Sequence, residues 1–568
     1  MFVQCMRKKK YAVCILVVLP AVFALLWRIT RGFDWSDEAY YSALVYRVIQ
    51  GDALFQTSWD IHQLSAVLLV PIYWIYIKAF GTKGIILFSR VVFVFILSGE
   101  AAGLFIKYNK KCGLPASVLA SLLLLSYESL YGLSYNTMTV EAFVLAFLLL
   151  PCRYTTKYRW TRYAISGFFS GIAVQSYPST VIIIPLFYIF SLIEEKRSFK
   201  GALYYTLGGF VVIILFCFFL SINSSFDSLI KNIKYLFMDP EHVGNNFQIW
   251  MHFSEIKKQI SEQTIPVLIL AICFANSASL TNDVAGKGLH LCVLGCILFV
   301  EFFQWNSIKE GYGYSFIHYR LYFSISLCFI LLWVIKRCSW DNFILLFFGG
   351  VIGSIGINIS TNNDSSIYIF PYIVSAIATV LYVGKISQEE LRKTETLYDK
   401  VYHAAHKVFF LPALFLVVYT FISSLVFVYR DGKLELLNTK MTLGPAAGIY
   451  TTELRAAQYE ETISAIDTYM PKEGNVLYTK LLPFGYMLSD AKPANPRLWR
   501  TNLDYPLFEE YFTNNPEKKP DAIYIVNENY GITNNNVVIG DYIQKYITSN
   551  PHETIKLECG EIIRIWKE

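Results

Sequence analysis

Charge is what this sequence has least of. Of its 568 residues only 16% are Asp, Glu, Lys or Arg, while 55% are hydrophobic. A soluble domain of ordinary composition carries about 25% charged residues. Such a shortage excludes a disordered chain and a soluble enzyme. Cysteine is missing where a staple would need it. Ten of the eleven lie before residue 340, and Cys559 alone falls in the polar C-terminal stretch, so no disulfide can form within that stretch. A disulfide scaffold is excluded with it. There is no solenoid repeat and no low-complexity tract, and the net charge of +6 is too diffuse to argue for nucleic acid.

What the chain has instead is long apolar runs and aromatic rings. Mean hydropathy is +0.41, and the 40 Tyr and 43 Phe suit a protein with many membrane–water interfaces, where amphipathic rings settle. The basic start MFVQCMRKKK precedes an apolar run from Tyr11 to Ile29. That run is too long for a signal-peptide core and has no small-x-small site before Arg28, so it is expected to be an uncleaved helix with its basic end in the cytoplasm.

Further apolar spans fall at 64–80, 84–106, 114–131, 137–151, 160–175, 177–193, 201–221, 263–280, 288–306, 316–335, 342–359, 366–383 and 408–428. Basic clusters at Lys107–Lys111, Arg153–Arg162, Lys196–Lys200, Lys336–Arg337 and Lys385–Lys407 are cytoplasmic together only if 64–106 makes one net crossing. Residues 64–80 are then re-entrant or interfacial, and the total is thirteen crossings, N-terminus inside and C-terminus outside. The loops left for the outer face hold most of the unusual polar residues, so any chemistry is expected to face outward.

Residues 430–568 are polar. They contain a helix-period segment, Glu453–Met470, and strand-like runs at 475–480, 521–527 and 562–566, separated by Pro and Asn clusters. The expectation is a membrane region, 1–429, followed by a small α/β domain, 430–568.

The first outer loop carries the densest chemistry: Asp34-Trp35-Ser36-Asp37-Glu38-Ala39-Tyr40-Tyr41, an amphipathic stretch to Gly51-Asp52, then Trp59-Asp60-Ile61-His62-Gln63. A carboxylate at the lip of a bilayer can serve as a base toward an incoming hydroxyl or amine. The plainer reading is that Asp34 and Asp37 cap a short interfacial helix.

This pattern, D-E-x-Y-Y with an amphipathic helix ending in G-D and a second polar motif before the next apolar run, resembles the GT-C glycosyltransferases. These are multi-pass enzymes that use polyprenyl-phosphate sugars, such as the aminoarabinose transferases and protein O-mannosyltransferases. The motif-level resemblance covers about residues 30–145. It implies an all-α polytopic membrane bundle of about 13 transmembrane helices with a small C-terminal α/β extracytoplasmic domain, in the plasma membrane. It also implies transfer of a sugar from a polyprenyl-phosphate donor to a glycan, lipid or protein acceptor. Asp37 matches the family's catalytic Asp and is followed by Glu38. His62 matches the second motif, but the prolines and lysine that often follow it are absent.

Such a reaction needs a base for the acceptor and a cation for the phosphate. The candidate cations are Arg90, Arg320 with His318 and Tyr312 nearby, and Lys231 or Lys234; snorkelling to the headgroups is the bland alternative for each. Asn136 and Glu141 fall where relatives line the cavity, and Glu100 is a second intramembrane carboxylate. A divalent metal is compatible with Glu38, His62 and His242, but their irregular spacing defines no site, and no cofactor is assigned. Gly99–Gly103, Gly167–Gly171 and Gly349–Gly353 suit close helix contact rather than nucleotide binding. Two other functions compete, a polysaccharide polymerase or ligase and a lipid or polysaccharide transporter. The first is separated by mutating Asp37, and the second predicts inverted repeats, which are not evident.

Overall fold

The computed structural model describes residues 18–126, 130–151, 158–195, 199–237, 326, 342–361, 372–391, 417–418, 421–479, 482–498, 507–527, 529–530 and 539–566. The chain enters through helix α1 (Val18–Arg28) and the extended segment 31–36. Helix α2 (Asp37–Ile49) follows, and Gly51, at φ +90°, turns the chain after it. Then come α3 (Gln63–Phe80), α4 (Ile85–Cys112), α5 (Leu114–Leu125), α6 (Tyr135–Leu149), α7 (Arg159–Ser176), α8 (Ile184–Glu194) after a 3-10 turn Pro178–Ile183, and α9 (Lys200–Asn223). Helices Asn342–Thr361 and Tyr372–Leu391 complete the described part of the bundle. The expected span 114–131 is helical only to Leu125, and the one at 177–193 opens as the 3-10 turn rather than as α-helix. Among the described residues, α3, α4 and α9 are long and apolar enough to cross a membrane.

Local chemistry explains these boundaries. Ser134 starts α6 with a reciprocal cap: its Oγ accepts the Thr137 N–H at 3.2 Å, and the Ser134 N–H donates to Thr137 Oγ1 at 2.9 Å. Helices α7 and α9 touch backbone to backbone. A Cβ on Gly167 would lie 1.9 Å from the Tyr205 carbonyl oxygen, and one on Gly208 would lie 1.8 Å from that of Ala164. The contact expected at Gly99 is absent: a Cβ there meets nothing within 4 Å.

The two ends of the bundle differ. At one end Lys107 Nζ donates to the carbonyls of Leu148 at 2.7 Å and of Phe147 and Leu150 at 3.2 Å. Arg162 donates to Leu149 O at 3.1 Å, and Arg159 pairs with Glu195. Lys107, Arg159 and Arg162 therefore gather at this end, with Glu195 beside Arg159.

At the other end sits the C-terminal domain. Its sheet has the order β4–β3–β5–β7–β6, built from β3 (Asn475–Tyr478), β4 (Lys492–Pro493), β5 (Ala522–Val526), β6 (His552–Leu557) and β7 (Gly560–Ile565). Strands β4, β3 and β5 are parallel, while β7 runs antiparallel between β5 and β6. Helix Glu453–Tyr469 precedes the sheet. A short antiparallel pair, β1 (Thr439–Lys440) with β2 (Tyr450–Thr451), lies beside the chain that leaves α1. Gly32 N–H donates to Tyr450 O, and Tyr450 N–H to Thr30 O, both at 2.8 Å.

The domain grips both flanks of α3. Before the helix, Trp59 N–H donates to Pro496 O at 2.8 Å, and Leu498 N–H reaches Asp60 at 3.1 Å. After it, Thr82 donates to Met487 O at 2.7 Å and Gly84 N–H to Gly444 O at 3.1 Å. The helix thus lies under the domain with both ends held on the same side. Its free face carries Trp74, Ile75 and Phe80, each at least half exposed.

Candidate functional site

The loop between α1 and α3 is anchored before any functional group is placed. Phe33 and Trp35 are buried in the C-terminal domain, with the Trp35 ring edge-on to Phe484 at 5.3 Å. Trp59 stacks on Tyr235 with ring centres 3.9 Å apart. Arg47 and Lys518 both pair with the buried carboxylate of Asp52, and Arg47 Nη2 donates to Asn495 O at 2.7 Å. Burial holds the Lys518 ammonium below its usual range, with Asp52 opposing that effect.

On this frame the helix start is made by Asp34. Its carboxylate accepts the N–H groups of Asp37 at 2.8 Å and Ser36 at 3.2 Å. The cap expected from both Asp34 and Asp37 is therefore the work of Asp34 alone. Burial first, then the neighbouring charge of Asp37, raises its carboxyl to about 7.

Asp37 is the first residue of α2, and its side chain turns outward from the helix. Tyr429 Oη donates to its Oδ2 at 2.8 Å, and Arg430 Nη1 lies 3.0 Å from the same oxygen. Arg430 also donates to Ser36 Oγ at 2.8 Å. The Asp37 side chain is 13% exposed and that of Arg430 is 21%. Burial, followed by the charges of Asp37 and Asp34, raises the Tyr429 phenol above its ordinary range, so it stands as a donor.

Glu38, the adjacent carboxylate, has a different environment. Arg90 of α4 forks onto both its oxygens, with Nη2 2.6 Å from Oε2, and also donates to Gly32 O at 2.7 Å and to Ile29 O. Every nitrogen of that guanidinium has a protein partner. The residue expected to offer a cation to a phosphate is engaged in holding the loop to α4.

One turn along α2 from Asp37, Tyr41 begins an aromatic group. The Tyr41 and Tyr135 rings meet edge to face at 5.8 Å, and His62 stacks on Tyr135 with ring centres 3.4 Å apart. Tyr177 closes on Tyr135 at 5.5 Å. Tyr41, His62, Ser65, Ser134 and Tyr135 line a small pocket there. Asn136 follows, its buried Oδ1 without a hydrogen-bond partner among the described residues. Glu141 lies five residues, roughly 7.5 Å, deeper along α6 than Asn136. It is buried close enough to Glu100 of α4 for their charges to interact.

The structure thus gathers Asp37, Glu38, Arg90, His62 and Asn136 at the domain end of the bundle, with Glu141 below them. Lys234 is exposed beside Glu510 on the domain. Tyr312, His318, Arg320 and His242 lie outside the described residues. Among the described residues no three His, Cys, Asp or Glu side chains converge on one point. Of the described metal candidates, Glu38 is paired with Arg90 and the His62 ring stacks on Tyr135.

Sequence reasoning missed Tyr429 and Arg430. Their only signal was position, as the first polar residues after the apolar run 408–428.

No protein-family model matches the sequence, and no curated protein does. Similar solved structures include the oligosaccharyltransferase of Archaeoglobus fulgidus, tethered with an acceptor peptide. That likeness has 13% identity over 91% of this chain and 69% of that one, at a TM-score of 0.49. They also include ArnT from Cupriavidus metallidurans, apo, with 10% identity over 98% of each chain, again at 0.49. The same protein bound to undecaprenyl phosphate gives 10% identity, 97% of each chain and 0.49. These are GT-C glycosyltransferases, the kind of protein that the motifs of the first loop resemble.

Proposed function

We propose that this protein is an integral-membrane glycosyltransferase that moves a sugar from a polyprenyl-phosphate donor to an acceptor at the outer face, inverting the anomeric centre, with Asp37 as base. The observation that carries this reading is Asp37 itself. It is a partly exposed carboxylate, one helical turn from an aromatic pocket, at the end of the bundle opposite the gathered Lys and Arg residues. By the positive-inside rule those basic segments are cytoplasmic, so Asp37 and the C-terminal domain face outward. That both ends of α3 are held by the domain supports reading it as a surface helix whose aromatic face dips into the interface, in keeping with the thirteen-crossing arrangement.

The chemistry is simple to balance. The acceptor's oxygen or nitrogen attacks the anomeric carbon from the face opposite the phosphate. The bond from that carbon to the phosphate oxygen breaks and its electron pair stays on the phosphate. The acceptor's proton passes to Asp37, and the products are the glycoside and the free polyprenyl phosphate. A phosphate is already a good leaving group, so the protein needs a base and a charge partner more than a strong acid. The flat face of Tyr41, backed by Tyr135, suits the C–H face of a sugar ring, and Asn136 supplies an acceptor for its hydroxyls. Glu38 and Arg90 hold the loop in register.

The test is transfer by the full chain in nanodiscs with a polyprenyl-phosphate sugar. Asp37→Asn is expected to lose about a thousandfold in rate with thermal unfolding unchanged; full activity in that variant refutes the reading. Mass spectrometry of envelope glycans and lipids, with and without the protein, identifies the acceptor.

A further inference from the structure

The turn at 429–432 is held unusually firmly for a segment that follows an apolar run. Arg455 donates to the Arg430 carbonyl at 2.6 Å. The Asp431 carboxylate accepts from Phe33 N–H at 2.8 Å, from Thr451 Oγ1 at 2.8 Å and from Gly432 N–H at 2.7 Å, and pairs with Arg455 at 3.2 Å. Between these anchors Arg430 adopts φ +49°, a left-handed conformation that an ordinary side chain occupies only when its surroundings enforce it. The effect is to aim the guanidinium at the start of α2. There a single nitrogen, Nη1, meets both Ser36 Oγ and Asp37 Oδ2. The other arginine of the loop, Arg90, is buried and bound on all its nitrogens. Among the described residues, Arg430 is the cation paired with Asp37, and its side chain is 21% exposed.

We propose that Arg430 is the residue that receives the donor's phosphate, and that its ion pair with Asp37 is the resting state of the site. This rests on the glycosyltransferase reading above and adds to it the phosphate ligand and a release step. An incoming phosphodiester competes with the carboxylate for the same guanidinium. Planar forked donors suit phosphate oxygens as well as they suit carboxylates, so the phosphate can replace the carboxylate's charge on a guanidinium that is 21% exposed. Once Arg430 turns to the phosphate, the Asp37 oxygen it covered is open to the acceptor's proton. Tyr429 keeps its hydrogen bond and holds the carboxylate in place. The base is thus uncovered only when a donor is present, which limits idle hydrolysis.

The experiment measures binding of undecaprenyl phosphate, undecaprenol and phosphatidate to the full chain in nanodiscs. The wild type is expected to bind undecaprenyl phosphate more tightly than either control. Arg430→Gln is expected to lose about tenfold or more of that preference, the worth of a charge-assisted contact, while binding undecaprenol as before. Arg430→Lys should retain most of it. Asp37→Asn should bind undecaprenyl phosphate several-fold more tightly, because the competitor for Arg430 is gone. If Arg430→Gln binds undecaprenyl phosphate like the wild type, or Asp37→Asn shows no gain, the proposal is overturned. Equal binding of phosphatidate overturns it too, by making the site a general lipid-headgroup contact. If the wild type itself does not distinguish undecaprenyl phosphate from undecaprenol, it is the donor class that fails. Should Arg430→Gln not fold, the Asp37→Asn arm still decides, since its expected change has the opposite sign.

Discussion

Glu38 Oε2 lies 2.6 Å from Arg90 Nη2, in a forked ion pair that joins the start of α2 to α4 across 52 residues of sequence. This contact separates the roles of two carboxylates that are neighbours in the chain. Glu38 is 4% exposed and held through both carboxylate oxygens by Arg90, whereas the Asp37 side chain is 13% exposed and meets Tyr429 and Arg430. An acidic pair in a motif is thus divided by its surroundings into one buried, ion-paired member and one partly exposed member, the latter being the proposed base.

Removing one partner of the buried pair should be costly. Glu38→Gln leaves the Arg90 guanidinium uncompensated and is expected to lower stability by about 3–5 kcal/mol. The double variant Glu38→Gln with Arg90→Met should be less destabilised than the single one. Thermal unfolding of the three proteins in one lipid system checks the order.

Asp34 makes stability depend on pH. Its carboxyl is raised from 3.8 to about 7 by burial and by Asp37, so the folded state holds its proton more tightly than the unfolded chain does. Between about pH 4 and pH 7 the folded state binds more protons, and the Asp34 contribution to stability falls as pH rises. Asp34→Asn keeps an acceptor for the Asp37 N–H and should flatten that slope. Melting curves at pH 5 and pH 7.5 for both proteins measure it.

The aromatic pocket should govern sugar affinity rather than lipid affinity. Tyr135→Leu removes the ring on which His62 stacks. It is expected to raise KM for the glycosylated donor about tenfold, a stacking contact of about 1 kcal/mol plus lost positioning. Binding of undecaprenyl phosphate without a sugar should not change. Equal losses in both would assign the pocket to the lipid instead.

Gly167 and Gly208 set the distance between α7 and α9. Gly167→Leu cannot be accommodated, because its Cβ alone would meet a carbonyl oxygen at 1.9 Å; the expected outcome is failure to fold. Gly99→Leu is the control, since that position faces open space, and it should express and melt like the wild type. Yield and melting temperature of the two variants decide this.

What the sequence revealed was local. The strand-like runs at 475–480, 521–527 and 562–566 appear as Asn475–Tyr478, Ala522–Val526 and Gly560–Ile565, short apolar runs buried on both faces and bounded by turn residues. The helix after Asp34 was legible from capping chemistry. The partnerships were not. Nothing near Glu38 announces Arg90, and Asp37 meets Tyr429 and Arg430 only because the fold closes a gap of 392 residues. A carboxylate's role depends on which cation faces it, and that is decided by packing, which a motif does not encode.

The interleaving of the first loop with residues 431–518 has a consequence for biosynthesis. The 31–60 segment is made early, yet its Trp, Asp and backbone partners leave the ribosome only after every intervening helix. A nascent chain therefore carries Asp37 through translation without the Tyr429–Arg430 clasp, which closes only late in maturation. Premature termination upstream of that clasp would leave an inserted bundle with no working centre.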